Sequence, residues 1–443
     1  MMNKMKTKVL IVGAGPCGVL LSHYLLRRGN YKIDIYDRRS DPRTISFSKY
    51  RAYPITLSER GLRALREIDG LEEVLKAQGV EITGTIFHIK NGKSKFVSKK
   101  KPLIGIDRTA LVINLLEQLT EKFDDSQVSI HFNSKCTQVD FKAKTVTFEN
   151  ETTEELIVNY DLLIGADGCG SVVRKHLLKT EGFECEQNYV RSQYKTVFLP
   201  PPSEEGHNLK LGNMHGWRTE DRITMLAVPQ RNKTVSGVVF FPHDNNQVTS
   251  LSSTEDVRQF FSRNFPEIGK SISDVEVEAF LKRPISKVSR VWCNRYHYGD
   301  SVLIMGDAAH AVSPFIGQGC NSALEDAVVL NKLLNDSSDN LVKVVPEFTK
   351  HRLADGQALL ELSEHTFPLS KWLFFEYVLR MNFTRMMNKV FPKYCSPFFF
   401  DMLSETTVPY SEILKSAQGW ISKVKKSNDK FLQAECLHSI KKL

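Results

Sequence analysis

The sequence lacks the cysteine and histidine patterns of a metal centre. Its eight cysteines are scattered along 443 residues, and no two of them form a C-x-x-C motif. They predict neither a zinc site nor a disulfide framework, and they favour a reducing, cytoplasmic compartment. A Ser-His-Asp nucleophile motif is also missing, so nothing in the chain predicts hydrolysis by a protein nucleophile.

Uninterrupted apolar runs of about 20 residues, which a membrane-spanning helix needs, are missing as well. The apolar stretch VLIVGAGPCGVLLSHYLL at 9–26 contains three glycines and a proline. It follows the basic segment MMNKMKTK and so imitates a secretion signal, but no small-residue cleavage site clearly follows it. The sequence therefore predicts neither a membrane anchor nor a signal peptide at this stretch.

The composition is ordinary for a soluble globular protein, with 41% hydrophobic and 25% charged residues, and the length suggests two or three domains. The net charge is +9, and part of it lies in lysine-rich segments at 90–102 and 423–430. Such segments leave open a patch for nucleic acid or an anionic membrane, but no nucleic-acid-binding motif accompanies them. We therefore interpret both as solvated surface lysines and expect no nucleic-acid partner.

The N-terminal stretch has the pattern of a dinucleotide-binding turn. Residues 9–12 form a continuous aliphatic run, which is typical of a buried parallel strand. Gly13, Gly15 and Gly18 then complete a G-x-G-x-x-G motif before a helix. The next strand, KIDIYD, ends at Asp37, about 20 residues further on, where an acid would meet ribose hydroxyls. A turn that is merely tight would leave Asp37 unexplained, so we predict dinucleotide binding.

Two later segments each place an acidic residue just after a predicted buried strand. The strand LLIG is followed by Asp167 and Gly168, with Arg174 near the start of the next helix. The strand VLIM is followed by Gly306 and Asp307. By itself the first segment is only an Asp-Gly turn with a helix cap. Ligands bind at the carboxyl ends of strands in open α/β sheets, so both acids are candidate ligand contacts.

A third segment, PFIGQGCN, supplies Pro314, Gly317 and Gly319 just before another helix. In this order and spacing, the motifs make residues 7–345 resemble the group A FAD-dependent aromatic hydroxylases. The resemblance implies an α/β fold with a Rossmann-like FAD-binding domain of the glutathione-reductase type. It further implies a substrate domain built on an antiparallel β-sheet, and C-terminal helices.

The resemblance also assigns residues to FAD. Asp307 would contact its ribityl chain, and Asp167 would serve both the flavin and the reduced nicotinamide. The PFIGQGCN turn would border the flavin edge, where a helix N-terminus can stabilise negative charge. No residue is expected to act as an acid or base, and we interpret His310 as a packing or hydrogen-bonding residue. The cofactor residues so implied are Gly13, Gly15, Gly18, Asp37, Arg38, Arg51, Arg108, Asp167, Gly168, Arg174, Gly306, Asp307, Pro314, Gly317, Gly319 and Asn321.

The implied reaction inserts one oxygen atom of O2 into an aromatic small molecule. NAD(P)H would reduce FAD, O2 would form a flavin C4a-hydroperoxide, and its terminal oxygen would attack the substrate. No second G-x-G-x-x-G is present for the nicotinamide, which matches transient docking in this group. The choice between NADPH and NADH stays open.

The chain is predicted to divide into four segments. They are an FAD-binding segment at 1–187, with about 80–103 contributing to the substrate side, a substrate-domain sheet at 188–285, a returning FAD-binding segment at 286–345, and a helical region at 346–443. Three alternatives stay open for residues 368–403 of the last segment, which are rich in Phe, Met and Leu. They form a helical pair packed on the core, a lid over the pocket, or a surface that makes peripheral contact with a membrane.

Within the group, the chain is most similar to the kynurenine 3-monooxygenases, for example in IDIYDRRSDPR and FFSRNFPEI. It departs from them at the positions expected to hold the substrate. By resemblance these positions are Thr85, in place of an arginine, Phe96, in place of a tyrosine, and Thr366 and Phe400 from the C-terminal helices. Loss of a cation and several donors predicts a substrate less polar than kynurenine.

Two alternative functions stay open at this point. One is hydroxylation or epoxidation of a less polar natural product on the same fold. The other is a non-catalytic flavin-binding partner protein, against which the intact Asp167, Arg174, Asp307 and Pro314 set argues. Substrate-stimulated oxidation of NAD(P)H distinguishes an enzyme from such a partner protein.

Overall fold

The computed structural model describes residues 6–44, 53–89, 93–150, 152, 154–201 and 209–440, without the side chains of 246 and 434–440. The strands are β1 (Thr7–Val12), β2 (Tyr31–Tyr36), β3 (Pro54–Leu57), β4 (Val80–His88), β5 (Ser94–Asp107), β6 (Val128–His131), β7 (Lys135–Asp140), β8 (Thr145–Glu149), β9 (Glu155–Asn159), β10 (Leu162–Gly165), β11 (Cys185–Leu199), β12 (Asn213–Arg218), β13 (Thr224–Pro229), β14 (Val235–Pro242), β15 (Ser286–Cys293), β16 (His297–Tyr298) and β17 (Val302–Ile304).

Helices cover the faces of the sheets and most of the C-terminal region. They are α1 (Pro16–Leu26), α2 (Glu59–Arg66), α3 (Leu71–Gln78), α4 (Arg108–Lys122), α5 (Val172–Leu177), α6 (Asn246–Thr249), α7 (Thr254–Asn264), α8 (Pro266–Gly269), α9 (Asp274–Lys282), α10 (Asp307–His310), α11 (Gly319–Asp336), α12 (Leu341–His365), α13 (Lys371–Val390), α14 (Phe399–Glu405) and α15 (Tyr410–Ile440).

A six-stranded sheet in the order β16-β17-β10-β1-β2-β6 forms the centre of the first layer, and all its pairings except β16 with β17 are parallel. The carboxyl ends of β1, β10 and β17 are therefore adjacent. Every residue of α1 is buried between this sheet and neighbouring helices, and residues 9–12 of β1 are buried as well. The apolar stretch at 9–26 is thus explained by burial inside the protein. These features confirm the predicted Rossmann-like α/β layer.

A second sheet has eight strands in the order β15-β11-β14-β13-β12-β4-β5-β3, and helices α7 and α9 pack over it. Its pairings are antiparallel, as predicted, except that β12 runs parallel to β4. These two strands are more than 100 residues apart in the chain, and a long crossover permits parallel pairing. Strand β15 belongs to this sheet although it lies beyond residue 285, where the predicted substrate-domain segment ends. The boundaries of the four predicted segments stay a prediction. A small antiparallel sheet, β7-β8-β9, is separate.

The C-terminal helices α12 to α15 share an apolar core that includes Leu362, Tyr377, Leu403 and Tyr410. This confirms the predicted C-terminal helical region. In the described part of the chain, every helix is too short or too polar to cross a membrane. The long α13 has few buried side chains, which are Tyr377, Met381 and Asn388.

The buried His23 of α1 predicts a loss of stability in mild acid. Its Nε2 lies 2.9 Å from the Leu115 carbonyl oxygen, and burial lowers the pKa of His23 to about 4. An unfolded chain takes up the proton near pH 6.5, so the free energy of unfolding should fall as pH falls from 6.5 to about 4. We expect urea titrations to show a loss of about 2 kcal/mol between pH 7 and pH 5 from this residue. His23→Leu should remove that part of the pH dependence.

The exposed His351 on α12 provides the matched control. His351→Leu should keep the acid sensitivity of the wild type. If His23→Leu and the wild type lose equal stability between pH 7 and pH 5, the assignment to His23 is wrong.

Candidate active site

The glycines of the first turn, at 13, 15 and 18, differ in how closely other atoms approach them. Gly13 has φ +110°, and a Cβ there would lie 2.4 Å from the Ala166 carbonyl oxygen. A Cβ on Gly18 would lie 2.3 Å from the Gly13 carbonyl oxygen. A Cβ on Gly15 would meet no atom within 4 Å, and Gly15 lines the main cavity. Gly13 and Gly18 therefore allow β1, β10 and α1 to pack closely, while Gly15 leaves a cradle at the start of α1.

Asp37 lies behind this turn. Its carboxylate accepts hydrogen bonds from the backbone N–H groups of Ala14 and Arg39, each at 2.8 Å. Among the described residues, those that line the cavity do not include Asp37. Its contacts show that it holds the glycine turn, and its contact with a ribose stays a prediction. Arg38 is exposed beside it, and Arg51 lies outside the described residues.

The Asp-Gly turn after β10 carries an unsatisfied acceptor. Asp167 Oδ2 accepts the Val172 N–H at 2.6 Å, whereas Oδ1 is buried with no hydrogen-bond partner in the described part of the chain. Burial raises the pKa of Asp167, although hydrogen bonds at the start of α5 oppose the shift. Gly168 has φ +79° and lines the cavity. A ligand hydroxyl or N–H at this turn would satisfy Oδ1.

Arg174 joins this turn to the end of β17. Its guanidinium is buried and donates to the carbonyl oxygens of Ala308 at 2.7 Å and Cys169 at 2.5 Å, and to Gln187 Oε1 at 2.8 Å. These bonds use protein acceptors, so the structure shows Arg174 positioning the two motifs relative to each other.

The Gly306-Asp307 motif rests on a buried ionic network that the sequence did not reveal. Asp326 accepts from the Gly306 N–H at 2.7 Å and from Arg352 Nε at 2.7 Å, and it lies 2.8 Å from His310 Nε2. Burial opposes ionisation of Asp326, but the charges of His310 and Arg352 outweigh it and lower its pKa. The side chain of Asp307 lines the cavity. The network thus fixes the backbone that presents Asp307.

Asn321 links the turn at Pro314–Ile316 to β3 and to the residue that precedes α2. This fully buried amide donates to the carbonyl oxygens of Thr56 at 2.9 Å and Gly317 at 2.8 Å, and it accepts from the Ser58 N–H at 2.8 Å. Gly317 has φ +66°, a conformation that favours glycine. Pro314, Gly317, Gly319 and Arg108 all line the cavity.

One continuous cavity of about 2420 Å³ joins these motifs to the second sheet and the C-terminal helices. Pockets for a single small ligand are typically about 300–1,000 Å³. The cavity therefore has room for a dinucleotide at the glycine-turn end and a second molecule between β4, β5 and α14.

The structure brings two of the four predicted substrate residues to this cavity. Thr85 is buried on β4 and Phe400 lies on α14, and both line the wall. The prediction for Phe96 is wrong, because Phe96 is 54% exposed and Val97, which pairs with Thr85, faces the cavity instead. Successive strand residues point to opposite faces, so a one-residue error in register moves the side chain to the other face.

The prediction for Thr366 is also wrong. Thr366 is fully buried at the end of α12, where its Oγ1 donates to the Leu362 carbonyl oxygen at 2.6 Å. Its own carbonyl oxygen accepts from Trp420 Nε1 at 3.3 Å. The next residue, Phe367, lies beyond the end of α12 and lines the cavity instead.

Sequence reasoning missed Lys99 as a cation of the substrate end. Lys99 lies on β5 two residues beyond Val97, on the same face, and lines the cavity. Its Nζ donates to Ser404 Oγ at 3.2 Å and lies 5.9 Å from the centre of the Phe400 ring. Burial lowers the pKa of Lys99, although Glu405 and Asp401 oppose the shift. The interpretation of segment 90–102 as solvated lysines therefore fails at Lys99, which the period-2 pattern of β5 could have revealed.

Comparison with known proteins identifies the family. The model of a family described as "FAD binding domain" matches residues 6–338. Kynurenine 3-monooxygenase of Sus scrofa is 29% identical over 432 residues, covering 95% of this chain and 88% of that protein. The Flavobacterium psychrophilum kynurenine 3-monooxygenase is 29% identical over 416 residues, covering 92% and 90%. A solved structure of 2-methyl-3-hydroxypyridine-5-carboxylic acid oxygenase aligns with a TM-score of 0.64 at 19% identity, over 87% of this chain and 93% of that one.

The residues on the cavity wall fit the cofactor of this family. The cradle at Gly15 lies at a helix N-terminus, which suits a pyrophosphate. The cavity-facing Asp307 provides an acceptor further along the same wall, and the unsatisfied Asp167 Oδ1 lies in the turn next to the lining residues Ala166 and Gly168. The cofactor is FAD, and NAD(P)H is the reductant. The chain belongs to the FAD-binding-domain family of aromatic hydroxylases and is an FAD-dependent monooxygenase.

Proposed function

We propose that this monooxygenase hydroxylates an aromatic acid whose anionic group is bound by Lys99. The observation that carries the proposal is the partly buried Lys99, whose Nζ contacts Ser404 on the wall of the substrate end of the cavity. An ion pair or charge-assisted hydrogen bond is strong where water is excluded. The sequence-based expectation of a less polar substrate depended on Thr85 and Phe96, and Lys99 supplies the cation that those positions lack.

The surroundings of Lys99 suit an aromatic ring. Phe367 and Phe400 line the cavity in edge-to-face contact, with 5.4 Å between their ring centres. Kynurenine and 2-methyl-3-hydroxypyridine-5-carboxylic acid, named for the similar proteins, are both aromatic compounds with a carboxylic acid group. These names support an aromatic acid as the substrate class.

FAD supplies the oxygen-transfer chemistry when it is bound, and the side chains of this protein bind, orient and exclude water. In the proposed mechanism, the backbone at Gly317 and Gly319 would border the bound flavin, and Arg108 would add positive charge beside it. Lys99 would bind the anionic group of the substrate and so orient its ring in the cavity. No protein acid or base is required for the transfer.

Substrate-stimulated oxidation of NADPH and NADH by the purified FAD-containing protein tests the proposal. Kynurenine and simple aromatic acids are compared with neutral analogues that carry the same ring, and 18O2 traces the inserted atom. We expect kcat/KM to be about 10–100-fold higher for the acids, as one charge-assisted bond of about 1.5–3 kcal/mol implies. Equal or better turnover of the neutral analogues would favour the less polar natural product and overturn the aromatic-acid assignment.

Replacement of Lys99 tests its role directly. Lys99→Met should lower kcat/KM for the aromatic acid about 10–100-fold, mainly through KM, because the methionine keeps the apolar bulk and removes the charge. Lys99→Arg should restore part of the loss. Bound FAD should be unchanged in both variants.

Lys100 is the matched control. Its Nζ donates to Asn388 Oδ1 at 2.7 Å, and it is not one of the described residues that line the cavity. Lys100→Met should keep kcat/KM within about twofold of the wild type. A loss of the same size in Lys99→Met and Lys100→Met would show a general effect on β5 and contradict the assignment.

A further inference from the structure

Helix α13 exposes large apolar side chains along one side. Six of them lie within an arc of about 80° on a helix of 3.6 residues per turn, and we call this set the α13 stripe. Its members are Trp372, Phe375, Leu379, Phe383, Met386 and Val390, each between 53% and 83% exposed. Phe391 and Tyr394 continue the exposed apolar surface beyond the end of the helix. Isolated exposed apolar residues are common, whereas a continuous stripe of this length marks an interaction site.

The ends and flanks of the α13 stripe have the composition of a membrane-surface helix. Trp372 lies at its first end and Tyr394 beyond its last, and both side chains combine an apolar ring with a polar atom. Residues 371–394 contain five basic residues and one acidic residue, Glu376. The Glu376 carboxylate is already paired with Arg380 and Lys423. An anionic lipid surface complements both the aromatic residues at the two ends and the excess of basic residues.

The opposite side of α13 forms part of the cavity wall. Tyr377 and Met381 are buried and line the cavity, together with Val378 and Arg385. Phe375 belongs to both surfaces, since it is 56% exposed and also lines the cavity. The α13 stripe therefore lies beside an opening of the cavity.

We propose that the α13 stripe binds the surface of an anionic lipid membrane, with α13 parallel to the membrane plane. The apolar side chains would enter the headgroup and acyl boundary, and Lys371, Lys389 and Lys393 would lie at the phosphate level.

A second copy of this chain suits the stripe less well, because a symmetric pairing of α13 would bring these lysines close to their counterparts. The proposal does not depend on the identity of the substrate.

Vesicle binding by the FAD-containing wild-type protein is the test. Flotation with vesicles of phosphatidylcholine alone is compared with vesicles that contain 30% phosphatidylglycerol. We expect binding at least tenfold tighter to the anionic vesicles, weakening as salt is raised, since exposed charges are screened. Tryptophan emission should shift to the blue on binding, because Trp372 is 83% exposed, while Trp217 and Trp420 are buried and Trp292 is only partly exposed. Trp372→Phe should lose most of that shift.

Substitution of apolar residues in the α13 stripe by glutamate provides a second test of membrane binding. Leu379→Glu with Phe383→Glu should reduce vesicle binding at least tenfold. The matched control places the same substitutions at Leu156 and Ile157, which are 50% and 65% exposed on β9, and should bind as the wild type does. FAD content and circular dichroism confirm that each variant is folded.

Three results would overturn the proposal. They are no binding of the wild type to either kind of vesicle, no change of tryptophan emission on binding, and equal binding by the stripe variant and the wild type. A wild-type dimer that the stripe variant converts to a monomer, without vesicle binding by either protein, would assign the α13 stripe to a second copy of this chain. Loss of monooxygenase activity without a change in vesicle binding would concern only the proposed function. It would not contradict membrane binding by the α13 stripe.

Discussion

Gly13→Ala is expected to destabilise the protein by about 2–6 kcal/mol and to abolish FAD binding. The reason is twofold, because a side chain at φ +110° is strained by about 1–3 kcal/mol and forced overpacking costs a similar amount. The added Cβ would lie 2.4 Å from the Ala166 carbonyl oxygen and 2.9 Å from Asp167 Cα. Both contacts are with backbone, so β1 and β10 would have to separate at the carboxyl ends that carry the site. Urea unfolding of the apoprotein and flavin fluorescence measure the two effects.

Gly15→Ala is the control in the same turn. A Cβ at Gly15 meets no protein atom within 4 Å and projects toward the cavity. The apoprotein should therefore keep its stability within about 1 kcal/mol, the usual helix-end effect of such a change. FAD affinity should still fall, because the methyl group occupies the cradle. If Gly13→Ala is as stable as Gly15→Ala, the close packing described for the turn is wrong.

Arg352→Met is expected to lower the free energy of unfolding by about 3–5 kcal/mol and to release FAD. Arg352 is buried and contacts Asp326 at 2.7 Å, Glu325 at 2.8 Å and Ser322 Oγ at 2.9 Å. Removal of one partner leaves the Asp326 carboxylate buried with less compensation, which is strongly destabilising. Because Asp326 also accepts the Gly306 N–H, the motif that presents Asp307 should lose its position. Urea titration and retained flavin give the measurement.

Two controls separate a buried-charge effect from a general effect on α12. Lys350→Met breaks an exposed ion pair with Glu347 and should cost at most about 1 kcal/mol. Arg352→Met combined with Asp326→Asn should recover part of the stability, since the unpaired charge is then gone. A double variant that is less stable than Arg352→Met alone would contradict this explanation.

The same network predicts how Arg352→Met changes the acid sensitivity. The pKa of Asp326 is below its usual value in the folded protein, so the network stabilises the fold above the unfolded pKa of about 3.9 and this stability is lost as pH falls. Arg352→Met removes one of the charges that lower the pKa of Asp326, so this pKa rises. The variant should therefore begin to lose stability at a higher pH than the wild type.

Local motifs were predicted well because their geometry is set by neighbours in the chain. The turn at Gly13 needs a positive φ, and the Asp167-Gly168 turn needs one at Gly168; glycine provides both without help from distant residues. The apolar runs of β1, β10 and β17 indicated buried parallel strands for a similar reason. The order of these turns and strands along the chain was therefore enough to predict the fold class and an FAD site.

The substrate end was predicted poorly because it is assembled from distant segments. Phe96 and Val97 differ by one position, and the pairing of β5 with β4 alone decides which of them faces the cavity. Thr366 and Phe367 lie just beyond the end of α12, and the path of the chain there decides which of them faces the cavity. Asp326 and Arg352 are 26 residues apart on two helices, and no pattern in either helix reveals that they meet.

The sequence by itself determined the cofactor class, the α/β layer and the order of the three motifs, because each depends on backbone conformations and burial patterns within about 20 residues. The tertiary structure decided which side chains line the substrate end, that Lys99 is one of them, and that the apolar side of α13 has no covering element among the described residues. Those properties depend on strand register and helix orientation, which are set by long-range packing. The membrane alternative for the C-terminal helices accordingly became a specific proposal only when the α13 stripe was located.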